Sequence, residues 1–268
     1  MKTIVSIMLF LICALHGNAA NNKATLECVY RLIYQVDTIT KRSNSAMMVL
    51  RRNETKSLFY SQANFERDSM CLETSGPEEW KAVDDSIKAR YGKVSVYYYV
   101  LEDFDKNELE FVESLLPNSC YTESLPNFSW EITEEQKTID NYACQKAVCT
   151  FGGRTYEAWF APDIPISDGP WKFYGLPGLI LEVYDTKHHY EFQFLGMRPC
   201  SGKIEIPNRD VTKTTKKEYL RLKQLAIDDP SAYLDILNAM VGIKGVSSTK
   251  PPKLRSYATM ERVESLPK

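Results

Sequence analysis

Two adjacent glycines, Gly152-Gly153, constrain this chain more than any other feature. They separate two runs, Cys144–Phe151 and Arg154–Phe160, in which small or aromatic residues alternate with others. Both glycines tolerate positive φ, which a two-residue type I′ turn demands at its two central positions. The runs are therefore expected to fold back on each other as a β-hairpin. The turn fixes the register: Phe151 faces Arg154, Cys149 faces Tyr156, Ala147 faces Ala158 and Gln145 faces Phe160. Side chains alternate between the two faces of a strand. Cys144, Val148 and Trp159 then fall on the second face, which is either covered or borders a ligand groove.

The same alternation marks other strands. Leu26, Cys28, Tyr30, Leu32 and Tyr34 alternate through 24–35, a long strand. Ala46–Arg51 and Thr55–Ser61 form a second hairpin, turning at Arg52-Asn53-Glu54. Further strands are expected at 93–101, 110–116, 120–123, 179–184 and 189–195, and 130–133 leads into the Gly-Gly hairpin. Helical signals are fewer. In Pro77–Tyr91, Trp80, Val83 and Ile87 share a face, acids come early, Lys88 and Arg90 come late, and Gly92 ends the run. Thr215-Lys216-Lys217-Glu218 is a capping box for a helix to about Ile227, with Tyr219, Leu222 and Ala226 on one face. Asp229-Pro230 starts another, striped by Tyr233, Leu237 and Met240. The expected fold is α+β: one large, curved, antiparallel sheet resembling a half-barrel, one inserted helix and two C-terminal helices.

The N-terminus reads MKTIVSIMLFLICALHGNAA. Lys2, the apolar stretch Ile4–Leu15 and the small residues at 18–20 have the form of a secretory signal peptide over 1–20, too short for a membrane span. Cys13 suggests lipidation, but Ile12 stands where a small residue is expected. The remainder divides into one β-rich domain, 21–245, and a tail, 246–268, holding three prolines and little apolar periodicity. The chain is expected in the periplasm or at the outer membrane, with an outer-membrane protein as a possible partner. No later segment is long and apolar enough to span a bilayer. With 33 Lys plus Arg against 35 Asp plus Glu, the charge balance excludes an electrostatic nucleic-acid binder. Of seven cysteines, six lie beyond the leader: Cys28, Cys71, Cys120, Cys144, Cys149 and Cys200. Export and an even count favour disulfides. Cys144 and Cys149 cannot pair along one strand, where about 16 Å separates them, because a disulfide needs Cα atoms within about 7 Å.

Asp168-Gly169-Pro170 marks one turn. Leu176-Pro177-Gly178-Leu179 marks another, of type II, with positive φ expected at Gly178. Cys144-Gln-Lys-Ala, Gly153–Phe160, Ile164-Pro165, Gly169–Phe173 and Gly175-Leu176-Pro177-Gly178-Leu179-Ile180 together resemble the GLPGLI family of exported Gram-negative proteins. The resemblance is dense over 144–185 and includes Asp228–Tyr233. It nominates Cys144, Trp159, Pro165, Gly169, Pro170 and Gly175–Ile180 as family-defining. It implies no established activity, cofactor or catalytic role.

The chain carries no G-x-S-x-G elbow, Walker loop or Rossmann fingerprint. The expected function is a non-enzymatic binding or carrier protein for an apolar molecule or peptide, without a cofactor. Trp159, Trp171, Phe173 and Leu176 are the expected contacts. One alternative is a copper- or zinc-handling protein using Cys144 with His188 or His189, with Met47 and Met48 as further soft donors. Another is a thiol hydrolase built from Cys144, a histidine and Asp185. Lys213–Lys217, with Arg221 and Lys223, reads as a solvated helix face rather than a lipid-binding patch.

Overall fold

The computed structural model describes residues 22–37, 39–113, 118–207, 211–240 and 260. The expected leader and, apart from Met260, the expected tail lie outside these residues. Twelve strands form one sheet: β1 Leu26–Asp37, β2 Arg42–Arg52, β3 Lys56–Ser61, β4 Tyr98–Asp103, β5 Glu108–Glu113, β6 Ser119–Ser124, β7 Glu131–Ile139, β8 Tyr142–Phe151, β9 Arg154–Ala161, β10 Leu179–Asp185, β11 Tyr190–Pro199 and β12 Thr212–Lys213. The helices are α1 Gln62–Leu72, α2 Pro77–Tyr91, α3 Lys216–Asp228 and α4 Pro230–Met240.

The strand order is β12-β6-β5-β4-β3-β2-β1-β11-β10-β9-β8-β7. Two antiparallel meanders, β1–β6 and β7–β11, are therefore stitched together where β1 pairs with β11. The expected all-antiparallel sheet is modified at one edge, where the two-residue β12 runs parallel to β6. Connectivity makes the sheet curl. Between Ser124 of β6 and Glu131 of β7 the chain reaches at most about 24 Å. A flat sheet would separate those strands by ten steps of about 4.8 Å, some 48 Å. The edges must bend toward each other, although β6 and β7 do not pair and the curl stays open.

The Gly-Gly hairpin has the register its turn dictates: Phe151 opposes Arg154, Cys149 Tyr156, Ala147 Ala158 and Gln145 Phe160. Gly152 and Gly153 have φ of 56° and 74°. Helix α2 spans Pro77–Tyr91 as expected, with Val83 and Ile87 buried, but Trp80 is 48% exposed. In α3, Thr215 caps the Glu218 N–H at 3.2 Å. Its buried residues are Tyr219 and Leu220, not the full Tyr219–Leu222–Ala226 stripe.

Two helices, not one, are inserted between β3 and β4. The additional helix, α1, begins where Ser61 caps it. Its buried residues are Asn64 and Asp68. Asn64 donates to Asp68 at 3.0 Å, and Tyr99 bonds to both side chains. A helix that buries hydrogen-bonded polar residues carries no apolar period, so pattern reading passes over it.

The inner face is filled, and the outer face is covered over β2–β5. Inside the curl lie Tyr30, Leu32, Leu50, Phe59, Val100, Phe111, Phe160 and Phe192. Outside, Val49, Leu58, Tyr60, Tyr99 and Val112 pack under Phe65 of α1 and Ile204.

Candidate functional site

The segment between β9 and β10, residues 162–178, dips into the curl. Its ends are pinned by Leu179 N–H to Ile164 carbonyl, 3.0 Å, and Ile180 N–H to Asp168 carbonyl, 2.9 Å. Trp171, Phe173 and Leu176 are buried. Phe173 meets Tyr156, Trp171 and Phe128 with ring centroids 4.8–5.4 Å apart. Three of the four expected ligand contacts thus form the protein's own interior packing. The segment also bridges the two meanders. Trp171 packs on Phe151 of β8, while the Lys172 ammonium sits 5.1 and 5.2 Å from the rings of Phe111 and Tyr121 on β5 and β6. Lys172 is fully buried and donates to Glu123 at 2.6 Å and Tyr121 at 2.9 Å.

The turn differs from the expected type II geometry. Positive φ falls on Gly175, at 93°, and not on Gly178. Gly178 is needed for close approach: a Cβ there would lie 2.2 Å from the Ala161 carbonyl oxygen. Trp171 itself adopts φ of 60°, a left-handed conformation unusual for a bulky residue.

Trp159, the fourth expected contact, lies on the second face of the hairpin and is 7% exposed. Lys137 covers it, ammonium to ring 4.4 Å, and also binds Glu182 at 2.7 Å.

A polar row crosses the inner face beneath the segment. Arg52 opposes Ser57, and Ser57 opposes Glu102, on β2, β3 and β4. Ser57 donates to Glu102 Oε2 at 3.1 Å. Asp168 comes down onto this row from the segment, with Oδ2 3.7 Å from Arg52 and Oδ1 accepting from the Gly169 N–H at 2.7 Å. Glu102 Oε1 and Asp168 Oδ2 are buried without a hydrogen-bond partner among the described residues. Burial drives both carboxyls toward the protonated form, Asp168 to about 6 and Glu102 well above the usual range; it outweighs Arg52, Gly169 and Ser57 at Asp168, and Ser57, Lys172 and Arg52 at Glu102. Sequence reading did not single out this row. The available signal was Glu102 sharing the inner-face parity of Tyr98 and Val100.

The candidate metal and thiol groups do not converge. Cys144 is buried, contacts the Tyr142 carbonyl, and has its thiol pushed up by burial. His188 stacks on Tyr184 at 4.8 Å. His189 Nδ1 lies 3.0 Å from Arg154, and Arg154 binds Asp185 at 2.8 Å. Asp185 also accepts from the His189 and Tyr190 N–H groups, so it caps the β10–β11 turn. Among the described residues no three His, Cys, Asp or Glu side chains gather as a metal site. All six cysteines there are free thiols, in place of the expected disulfides. Cys28 and Cys149 are buried in the core, where desolvation pushes each thiol up to about 12. The basic run is largely engaged: Lys216 binds Glu123, Lys223 binds Glu113 and Arg221 binds Glu218, at 2.7–2.9 Å.

A large open cavity lies elsewhere. A solvent-connected groove of about 870 Å³ runs between α1, α2 and the following chain. Ile87, Val94 and Tyr97 line it, together with Leu72 and Trp80, which are 55% and 48% exposed. Arg67 and Lys88 add positive charge, and Arg67 is held by Asp84 at 2.6 Å.

Residues 150–182 match a family described as "Protein of unknown function (Porph_ging)". The match covers β9, the buried segment and the start of β10. No curated protein matches the chain. The fold is similar to that in two crystal forms of PNGF-II, at 13% and 14% identity with TM-scores of 0.50 and 0.49. Each alignment covers 73% of this chain and 32% of the other, so the chain spans about a third of that protein's length. The former likeness concerns the fold alone. No helix among the described residues is long and apolar enough to cross a membrane.

Proposed function

We propose that this is a non-enzymatic, exported binding protein of the cell envelope, of the GLPGLI type, that takes an apolar molecule or an apolar peptide. The supporting observation is the groove beside α1 and α2, whose apolar lining stays open and whose rim presents Leu72 and Trp80 to solvent. Concavities of this size with a mostly apolar lining suit such ligands. The interior of the curl is the lesser candidate, because the 162–178 segment already fills it. Binding is favoured over catalysis by the engagement of the reactive groups: Cys144 is a buried thiol, and Asp185 and His189 are held by Arg154. Export rests on the N-terminal sequence, and the family assignment on the motif that overlaps the 150–182 match.

Native mass spectrometry of the full-length protein from its own envelope tests this reading. The expected result is an adduct that is lost on denaturation and depleted in Trp80→Ala and Leu72→Ala. A bare mass from the wild type, or an adduct indifferent to both substitutions, overturns it.

A further inference from the structure

Glu102 and Asp168 present an unusual arrangement. Two carboxyls from different parts of the fold, both essentially excluded from water, lie against one serine hydroxyl. One oxygen of each lacks a partner among the described residues. The groups facing them come from every packed element: Cys28 and Tyr30 on β1, Arg52 on β2, Ser57 on β3, and Lys172 and Tyr174 on the segment. Arg52 supplies a cation at 3.7 Å from Asp168, and the Lys172 ammonium bonds directly to Glu123. Lys172 and Arg52 both favour an ionised Glu102, but burial and the neighbouring Asp168 outweigh them. A second uncompensated charge at this depth is too costly to retain, and such a group keeps its proton.

We propose that Glu102 and Asp168 hold one proton between them, and that this proton latches the 162–178 segment to the sheet. While the proton is held, the acids attract across the contact between β4 and the segment. When it leaves for solvent as pH rises, two carboxylates repel across the same contact. The segment then loosens and the inner-face aromatic surface beneath Trp171 and Phe173 opens. The geometry suits a releasable contact, since the segment enters with a strained Trp171 and one of its ionic anchors is the Asp168–Arg52 pair. Burial raising both carboxyls gives the sign. The stabilisation is full below their ordinary values near 4 and is lost as pH rises through the folded values.

The test uses the full-length protein. Infrared difference spectroscopy of the wild type near neutral pH should show the C=O stretch of a buried protonated carboxylic acid, and Glu102→Gln should remove it. Hydrogen exchange at the Gly169, Phe173 and Ile180 amides, corrected for intrinsic exchange, should accelerate in the wild type by up to about tenfold per pH unit above pH 6. In Glu102→Gln, which keeps a neutral group in place, that acceleration should disappear. A wild type without the protonated-acid band overturns the proposal, even if the variant fails to fold. So does a pH dependence that Glu102→Gln and Asp168→Asn both leave intact.

Discussion

Two polar rows cross this sheet, one on each face, and they resolve buried charge in opposite ways. On the outer face, Arg51, Glu27 and Arg198 stand directly across β2, β1 and β11. Arg51 donates to Glu27 Oε2 at 2.9 Å, and Arg198 donates twice to Oε1 at 2.6 and 2.9 Å. Burial pushes the Glu27 carboxyl up, but the hydrogen bonds and charges of two arginines outweigh it, and the carboxyl is held below its ordinary value. On the inner face the row Arg52–Ser57–Glu102 has one arginine, and Asp168 adds a second acid. There the balance reverses and the carboxyls are pushed up. Burial sets the push toward the proton, which is greatest for the inner pair, and the directly bonded arginines decide that it is overcome at Glu27.

A third acid sets the scale. Asp185 is as buried as Asp168 but is fully served, by Arg154 at 2.8 Å and two backbone N–H groups. Replacing Arg154 with Met removes the guanidinium, leaves only the His189 ring at 3.9 Å, and should cost about 3–5 kcal/mol. Urea unfolding would measure it, and a loss under about 1 kcal/mol would show that the backbone donors suffice. Arg51→Met comes next, at about 2–3 kcal/mol. Arg51 is partly exposed, and its side chain also lies over the rings of Tyr60 and Phe65, a contact methionine partly retains. The same unfolding measurement ranks the two.

The pH profile sharpens the contrast directly. Glu27, with a lowered folded value, contributes stability that is present above about 4.5 and is lost as pH falls through its folded value. Asp168, raised to about 6, contributes stability present below 3.8 and lost as pH rises toward 6, with Glu102 extending the loss upward. The two slopes have opposite signs, each at most about 1.4 kcal/mol per pH unit per proton. Thermal melts from pH 3 to 8 should therefore peak between about 4 and 5. Arg51→Met should flatten the acid limb and Glu102→Gln the alkaline one. Melts in which both variants keep both limbs would remove these acids as the source.

How much of this was legible in the sequence depends on whether the cause is local. Gly152-Gly153 fixed a turn, the turn fixed a register, and four cross-strand pairs followed. Thr215 and Asp229-Pro230 marked helix starts for the same reason, because capping and N1 chemistry act within one turn. Gly178 was read as local too, as the positive-φ position of a turn, but positive φ falls on Gly175. Gly178 is small because the Ala161 carbonyl, seventeen positions away in sequence, presses on it. Helix α1 buries Asn64 and Asp68 because Tyr99 completes their hydrogen bonds, a partner no helical period announces. Trp171, Phe173 and Leu176 looked like ligand contacts because aromatic and turn chemistry are the same whether a segment faces a ligand or its own core. The inner polar row exists only when β2, β3 and β4 are in register and the segment is docked.

The smallest effect in this series tests whether the outer row is a triad or a pair. Arg198 makes the shortest contact with Glu27, 2.6 Å, yet its side chain is 74% exposed. Water can replace most of what an exposed guanidinium supplies, and holding the side chain costs rotamer freedom. Arg198→Ala should therefore shift the melting temperature by under about 2 °C, well below the Arg51→Met shift. The double variant should lose about the sum of the two single effects if Glu27 can recruit water, and more than the sum if each arginine covers for the other. A shift in Arg198→Ala as large as in Arg51→Met would mean that Glu27 needs both cations to stay charged, and the contrast with the inner row would then rest on a full second arginine rather than on one buried pair.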